Sequence, residues 1–403
     1  RDTMRFPLLD LSLVSLVSQQ RFIQHGTFLS EKKAWGISAL KAGVSSVESA
    51  TGPSVLCIGD ALMDCIANNE ARGWSVEKLM ADDSSWTAFP GGAPANVATA
   101  LCKLGTSSAF CGCVGQDSDG DALKTLLKQE GVNVGLMQRS TLYPTRRVMV
   151  TRSKTGDREF GAFYDHRNAH EFADTLLRYN STATDDDDSS QFTRDLDAIL
   201  SSTKWMVSST LSLAFEESAK SVTNIVDRGL KGGAKLLVDI NWRPVFWPNT
   251  SESEARKSIL ELAQRAHIVK LTDEEAEWLF GISAAEALEH PDKVAKEGFP
   301  QALGVLVTAG EKGASYSCLG HSAQIEPFDV AVVETTGAGD AFTAGFLHSI
   351  IGGAELDDPE SLQDTVRFAA AVGALTCTSE GAIAAQPTMD QVESFFIHGE
   401  KLW

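Results

Sequence analysis

The 403-residue chain contains no uninterrupted apolar run of the roughly 18 residues that a membrane-crossing helix needs, so no span is expected. It is short of positive charge: 35 Lys and Arg stand against 54 Asp and Glu, for a net charge of −19. A surface of that sign cannot neutralise a phosphate backbone, which excludes nucleic-acid binding as its main business. Cysteine is scarce and odd in number, seven residues with no Cys-x-x-Cys pair, so free thiols in a reducing compartment are expected. Cys111 and Cys113 are two apart and would share one face of a strand, with no further ligands around them. What the chain does have is 43% hydrophobic and 22% charged residues, ordinary for a soluble globular protein able to bury a large core.

The stretch around which the rest is organised is Glu334 to Leu347, ETTGAGDAFTAGFL. Apolar residues from Ala341 to Ile351 recur at helical spacing (Phe342, Phe346, Leu347, Ile350, Ile351), which places Gly337, Ala338, Gly339 and Asp340 where a loop becomes a helix. The first N–H groups of a helix have no internal partner and carry partial positive charge. Glycines let an anion approach that backbone closely. A carboxylate in such a cradle would repel the anion, unless it takes a proton from a hydroxyl about to attack phosphorus. The plainer reading is a turn closed by Asp340 as a helix N-cap.

Residues 1–53 read differently from the rest. They are rich in Ser and Leu with a slight basic excess, and Met4-Arg5 leads into PLLDLSLVSLV, as a targeting segment would. A plastid or the cytoplasm is the expected location, and the folded unit is expected over 54–398. Ser54 to Gly59 reads as a buried strand, with Asp64 just past its end, where open α/β sheets place ligand-binding groups. Gly91-Gly92 precede an apolar helix pattern over Val97 to Leu104, and Asn96 at its start can both donate and accept, which suits a polyol. Thr145 to Phe163 reads as a β-hairpin turning at Thr155-Gly156-Asp157. Arg167 reads best as a solvated arginine, and the acidic run Asp185 to Asp188 as a solvated loop. Beyond it, strand over Lys204 to Ser208, helix over Phe215 to Lys231 and strand over Lys235 to Asp239 alternate as in a doubly wound parallel sheet.

GGAPANVATALCKLG followed by ETTGAGDAF resembles the two signature regions of the PfkB, or ribokinase-like, carbohydrate kinases. Cys113 to Val134 resembles that family's intervening strand–loop–helix, and the likeness runs from Ser54 to about Phe395. It implies a three-layer α/β/α sandwich with a mainly parallel sheet and a small β-sheet lid drawn from about 65–90 and 144–168. It further implies transfer of the γ-phosphoryl of ATP to a sugar hydroxyl. Asp340 would be the base, and the N–H groups of Gly337, Ala338 and Gly339 the anion cradle. Asp64, Gly91, Gly92, Asn96 and Arg243 would bind the sugar, while Thr308, Gly310, Gly313 and Asn241 would lie on the nucleotide side. Glu275, in KLTDEEAEWLFG, would hold waters around Mg²⁺, with Thr272 where Asn is common. Glu334 stands where Asp is usual beside a monovalent cation, K⁺ in several members. DINWRP with Trp247 and the GGAPANVA form look most like fructokinases, so fructose giving fructose 6-phosphate is expected. Ribose and a nucleoside remain as other acceptors, and a non-catalytic plastid interaction protein with Cys111 and Cys113 as a thiol handle as another class. A homodimer through the lid is a further implication.

Overall fold

Val55 to Ile58, four fully buried residues in a row, form the strand from which the architecture spreads. The computed structural model describes residues 52–153, 158–179 and 188–398. The expected N-terminal extension up to Thr51, the Thr155-Gly156-Asp157 turn and Asp185 to Asp187 lie outside the described residues. In chain order the strands are β1 (Val55–Ile58), β2 (Leu62–Ala67), β3 (Trp86–Gly91), β4 (Ser108–Gly115), β5 (Asn133–Ser140), β6 (Arg147–Arg152) and β7 (Arg158–Phe163). They continue as β8 (Trp205–Ser209), β9 (Lys235–Asp239), β10 (Ile268–Thr272), β11 (Gly304–Thr308), β12 (Ala314–Cys318) and β13 (His321–Ile325).

Nine of these form one sheet in the order β13-β12-β11-β10-β9-β8-β1-β4-β5, parallel from β11 to β5 with β12 and β13 antiparallel at one edge. Alternate residues of the central strands feed different cores: Leu56, Ile58, Val238 and Val269 on one face, Val55, Cys57, Leu237 and Ile268 on the other. Both faces are buried under helices, which is why these strands read as continuous apolar runs. From β1 the sheet grows outward through β4 and β5, then resumes on the other side at β8. The crevice at the carboxyl ends of β1 and β8 is therefore the switch point at which such sheets bind ligands.

The remaining four strands make a second sheet, β3-β2-β6-β7, the expected lid. It begins at Leu62, so Asp64 lies inside a lid strand and is buried, not on a loop past β1. Phe89, Asp64, Val148 and Phe163 stand in register across it, one row of one face. The other face, with Cys65, Ala67 and Met149, is covered by Ala71 and Leu79 of the segment joining β2 to β3, including the short helix Val76–Met80. That covering segment carries no clear periodicity and was not foreseen.

One smaller expectation is corrected. Cys111 and Cys113 do share a face of β4, but it is a core face, 0% and 3% exposed, and gives no thiol handle to a partner. The turn at Gly310 to Lys312 joins β11 to the antiparallel β12, so it is also a hairpin turn. Arg167, half-buried, lies near Asp165 at 3.9 Å. Among the described residues no helix is long and apolar enough to cross a membrane.

Candidate active site

The helix Ala338–Ile351 starts three residues earlier than its apolar periodicity suggests, with Gly337 as its N-cap. Gly337 has φ +81, and a Cβ there would lie 2.8–2.9 Å from the Ala382 backbone oxygen, Cα and Cβ. Only glycine turns the chain at this point without strain or collision. Asp340 therefore sits in the first turn of the helix and is not its N-cap; no side chain caps this end. The carboxylate is instead taken up by the other signature region. Asn96 Nδ2 donates to Asp340 Oδ2 at 2.8 Å, and Gln386 Nε2 in turn donates to the Asn96 carbonyl at 2.9 Å.

Asn96 is positioned by the helix Ala93–Lys103, whose N-cap is Gly92, next to the Asp60-Ala61 backbone at the end of β1. Gly91 ends lid strand β3, and a Cβ on it would run into the Asp64 carboxylate. Asp64, Gly91, Gly92, Asn96 and Asp340 thus converge at the end of β1, under the lid.

Three residues in this convergence were given no individual role from the sequence, although Asp239 opens the DINWRP segment. Asp60 follows β1, is buried, and accepts from Ser209 Oγ at 3.1 Å across the switch point. Asp239 ends β9 and Lys270 lies beside it on β10; the parallel register makes them partners, with Lys270 Nζ 2.9 Å from Asp239 Oδ1. Thr343 Oγ1 donates to the other Asp239 oxygen at 3.0 Å. A signal existed for Lys270: in Ile-Val-Lys-Leu-Thr it occupies a core-facing position of an apolar strand, where an unpaired charge costs several kcal/mol.

These charges set the acidity of the site. Burial, then the neighbouring Asp239 charge, pushes the Asp340 carboxyl up to about 7, against the opposing pull of the Asn96 N–H and of Lys270. Burial and the Asp174 charge raise Asp60 to about 6. Burial raises Asp239 also, opposed by Lys270. Burial works against the Lys270 ammonium, but the charges of Asp239, Glu275 and Asp340 outweigh it and hold its value above the ordinary. A half-buried carboxyl near 7, hydrogen-bonded at a helix start, has the proton affinity that general-base chemistry at neutral pH requires.

Glu275 lies on the other side of Lys270. Thr272-Asp273-Glu274-Glu275 is a capping box: Glu275 N donates to Thr272 Oγ1 at 3.1 Å and Thr272 N to Glu275 Oε2 at 2.9 Å. Trp242 N donates to Glu275 Oε1 at 2.9 Å, so both oxygens already serve main-chain groups. Arg243 Nη1 donates to the Trp242 carbonyl at 2.7 Å, lies 3.5 Å from Glu275, and its guanidinium covers the Phe160 ring of the lid at 5.4 Å. It thereby ties the loop after β9 to β7. The Asn241 side-chain oxygen is buried without a hydrogen-bond partner. Glu334 is buried and its Oε2 accepts from Gly381 N at 3.1 Å, which fastens the loop before the cradle to the loop that clamps Gly337. Thr308, Gly310 and Gly313 stand at the carboxyl end of β11, two strands from β9.

At the base of the lid, Arg146 is 0% exposed. Its Nε and Nη2 meet Asp174 at 2.7 and 2.9 Å, and Nη2 also donates to the Ala169 carbonyl at 2.8 Å. The guanidinium is enclosed by Phe163, Phe172, Phe215 and Phe246 at 4.5–5.2 Å.

Residues 53–389 match the family described as pfkB family carbohydrate kinase. The chain is 35% identical over 317 residues to the probable fructokinase-4 of Arabidopsis thaliana, covering 78% of this chain and 90% of that protein. To the probable fructokinase-6, chloroplastic, of the same plant it is 34% identical over 355 residues, covering 88% and 84%. Among solved structures, the Xylella fastidiosa fructokinase with bound ATP superposes with a TM-score of 0.68 at 28% identity, over 85% of this chain and 98% of that one.

Proposed function

The chain belongs to the pfkB family of carbohydrate kinases, and from that footing we propose that its acceptor is fructose and its product fructose 6-phosphate. The reaction is ATP-dependent phosphoryl transfer to a sugar hydroxyl, a phosphotransferase acting on an alcohol group. The observation that carries the site reading is the 2.8 Å hydrogen bond from Asn96 to Asp340, which joins the two signature regions at one point under the lid.

In this reading Asp64, Gly91, Gly92 and Asn96 bind the sugar hydroxyls, and Asp340 accepts the proton of the attacking one. The deprotonated sugar oxygen then forms the new bond to phosphorus as the bond to the ADP oxygen breaks. The N–H groups of Gly337, Ala338 and Gly339, at the positive end of the helix, stabilise charge on the transferred group. Arg243 draws the lid strand toward the phosphoryl side, and closure of the lid excludes water. The orphaned Asn241 oxygen suits a ligand donor on the nucleotide side, with Thr308, Gly310 and Gly313.

Mg²⁺, when bound, neutralises phosphate charge. Among the described residues no group of three His, Cys, Asp or Glu side chains is arranged to hold a metal ion, so phosphate oxygens and water would be its main ligands. Glu275, occupied by two N–H groups, would reach only its waters. K⁺ is placed by this reading at the loop that Glu334 fastens. A homodimer through the lid would have to meet over the segment covering its outer face, or along the β3 or β7 edge.

The test is ADP release with Mg-ATP across fructose, glucose, ribose and adenosine, beside Asp340→Asn. Fructose is expected to give the highest kcat/KM, with a loss of about 10²–10⁴-fold in the variant. A higher kcat/KM on another acceptor refutes the choice of fructose, and an active variant refutes the base.

A further inference from the structure

Lys270 is a charged residue in an apolar strand. Ile268, Val269 and Leu271 are wholly buried around it, and Lys270 itself is 5% exposed. Taking an ammonium out of water costs several kcal/mol unless it is well paired. Asp239 supplies one partner at 2.9 Å, and a purely architectural ion pair would end there. This one does not. The ammonium also lies against the cradle: a Cβ built on Gly339, the residue before Asp340, would be 2.8 Å from Nζ. Asp239 continues the contact one turn further along the same helix, through Thr343 Oγ1. The pair therefore braces two successive turns of the helix that presents Asp340.

We propose that Lys270 is a positioning residue for phosphoryl transfer, whose ammonium, held by Asp239 against Gly339, sets the proton affinity of Asp340 and fixes the cradle's first turn. This rests on the reading of Asp340 as the base. Four groups face Asp340: Lys270 from β10, Asp239 from β9, Asp60 from the end of β1, and the neutral donor Asn96 from the helix Ala93–Lys103. Two of them are carboxylates, whose charge favours the protonated, unreactive form. Lys270 is the cation that opposes them. With the lysine removed, both carboxylates act unopposed, and Asp340 keeps its proton to higher pH.

The pH dependence of kcat/KM, which reports groups on the free enzyme, separates this from simple structural support. Lys270→Met, Asp239→Asn, the double variant and Asp340→Asn are measured with fructose and Mg-ATP between pH 5.5 and 9.5, with unfolding transitions as the check on folding. The acid limb of Lys270→Met is expected to rise by about one pH unit, equivalent to tenfold at the acid side, with most of the loss regained at high pH. Asp239→Asn is expected to move the limb down, and the double variant to fall between. If Lys270→Met does not fold, the Asp239→Asn limb reads the same coupling from its other member. A folded Lys270→Met reduced by one factor at every pH, or an unmoved limb in Asp239→Asn, overturns the proposal. Full activity in Asp340→Asn sinks the base itself, whereas an inactive Asp340→Asn beside unmoved limbs sinks only the role of Lys270.

Discussion

Gly337→Ala is the sharpest perturbation of the cradle, because two independent costs fall on one methyl group. The residue's φ of +81 is left-handed backbone, which an L side chain occupies at a cost of about 1–2 kcal/mol. The new Cβ would also stand 2.8–2.9 Å from three atoms of Ala382, two of them backbone. The Ala382 loop is itself held, since Gly381 N bonds to Glu334 and the Ile383 carbonyl accepts from Lys103. Such overpacking costs about 1–3 kcal/mol, so the variant should lose roughly 2–5 kcal/mol of stability. The relief available is a shift of the helix start, and a misplacement of about 1 Å at a reacting centre costs on the order of 10²-fold in rate. Calorimetry and the ADP-release assay read both. Gly339→Ala is the control: it has no positive φ, and its Cβ meets only the Lys270 tip, so the melt should change little while the pH profile moves. A Gly337→Ala protein with wild-type Tm and kcat would show that Ala382 does not fix the cradle.

Two further outcomes follow from buried charge. Asp60 ionises at about 6 in the fold, above the ordinary carboxylate range, so its contribution to stability is full below about pH 4 and lost as pH rises through 6. Asp60→Asn, which cannot ionise, should therefore raise stability at pH 8, by up to about 3 kcal/mol, and change it little at pH 4; equal denaturant midpoint shifts at both pH values would refute this. Asp174→Ala strands the wholly buried Arg146 and should cost about 3–5 kcal/mol, most of it regained when Arg146→Met is added. A loss under about 1 kcal/mol in chemical unfolding would mean that the guanidinium finds water.

The parts legible in sequence were those written as local grammar. Gly304 to Thr308 and Lys235 to Asp239 are short apolar runs with nothing to compete with a buried strand, and both form as read. The hairpin over β6 and β7 announced itself by its spacing, and the two glycine signatures by their order along the chain. Lys270 and Asp239 were invisible as a pair because their contact depends on the register of β9 against β10, which no stretch of one strand encodes. Arg146 and Asp174 are 28 residues apart and meet only once the lid has closed on its own base. Thr272 to Glu275 spell a capping box in one short stretch, and there both Glu275 oxygens serve main-chain N–H groups.

The charge balance at the cradle explains why Asp340 is tuned where it is. Asp60, Asp239 and Asp340 crowd the ends of β1 and β9 and the helix start, so an incoming phosphate meets carboxylates as well as N–H groups. The half-charge of a helix terminus offsets only part of that repulsion. A base at an ordinary carboxylate value would be ionised but a weak proton acceptor; one left among two carboxylates without a cation would be strong but protonated. Lys270, buried and double-faced between Asp239 and Gly339, holds the site between these limits. On the roles proposed above, the same ion pair that makes an apolar strand tolerate a lysine makes a carboxylate in an anion cradle useful at neutral pH.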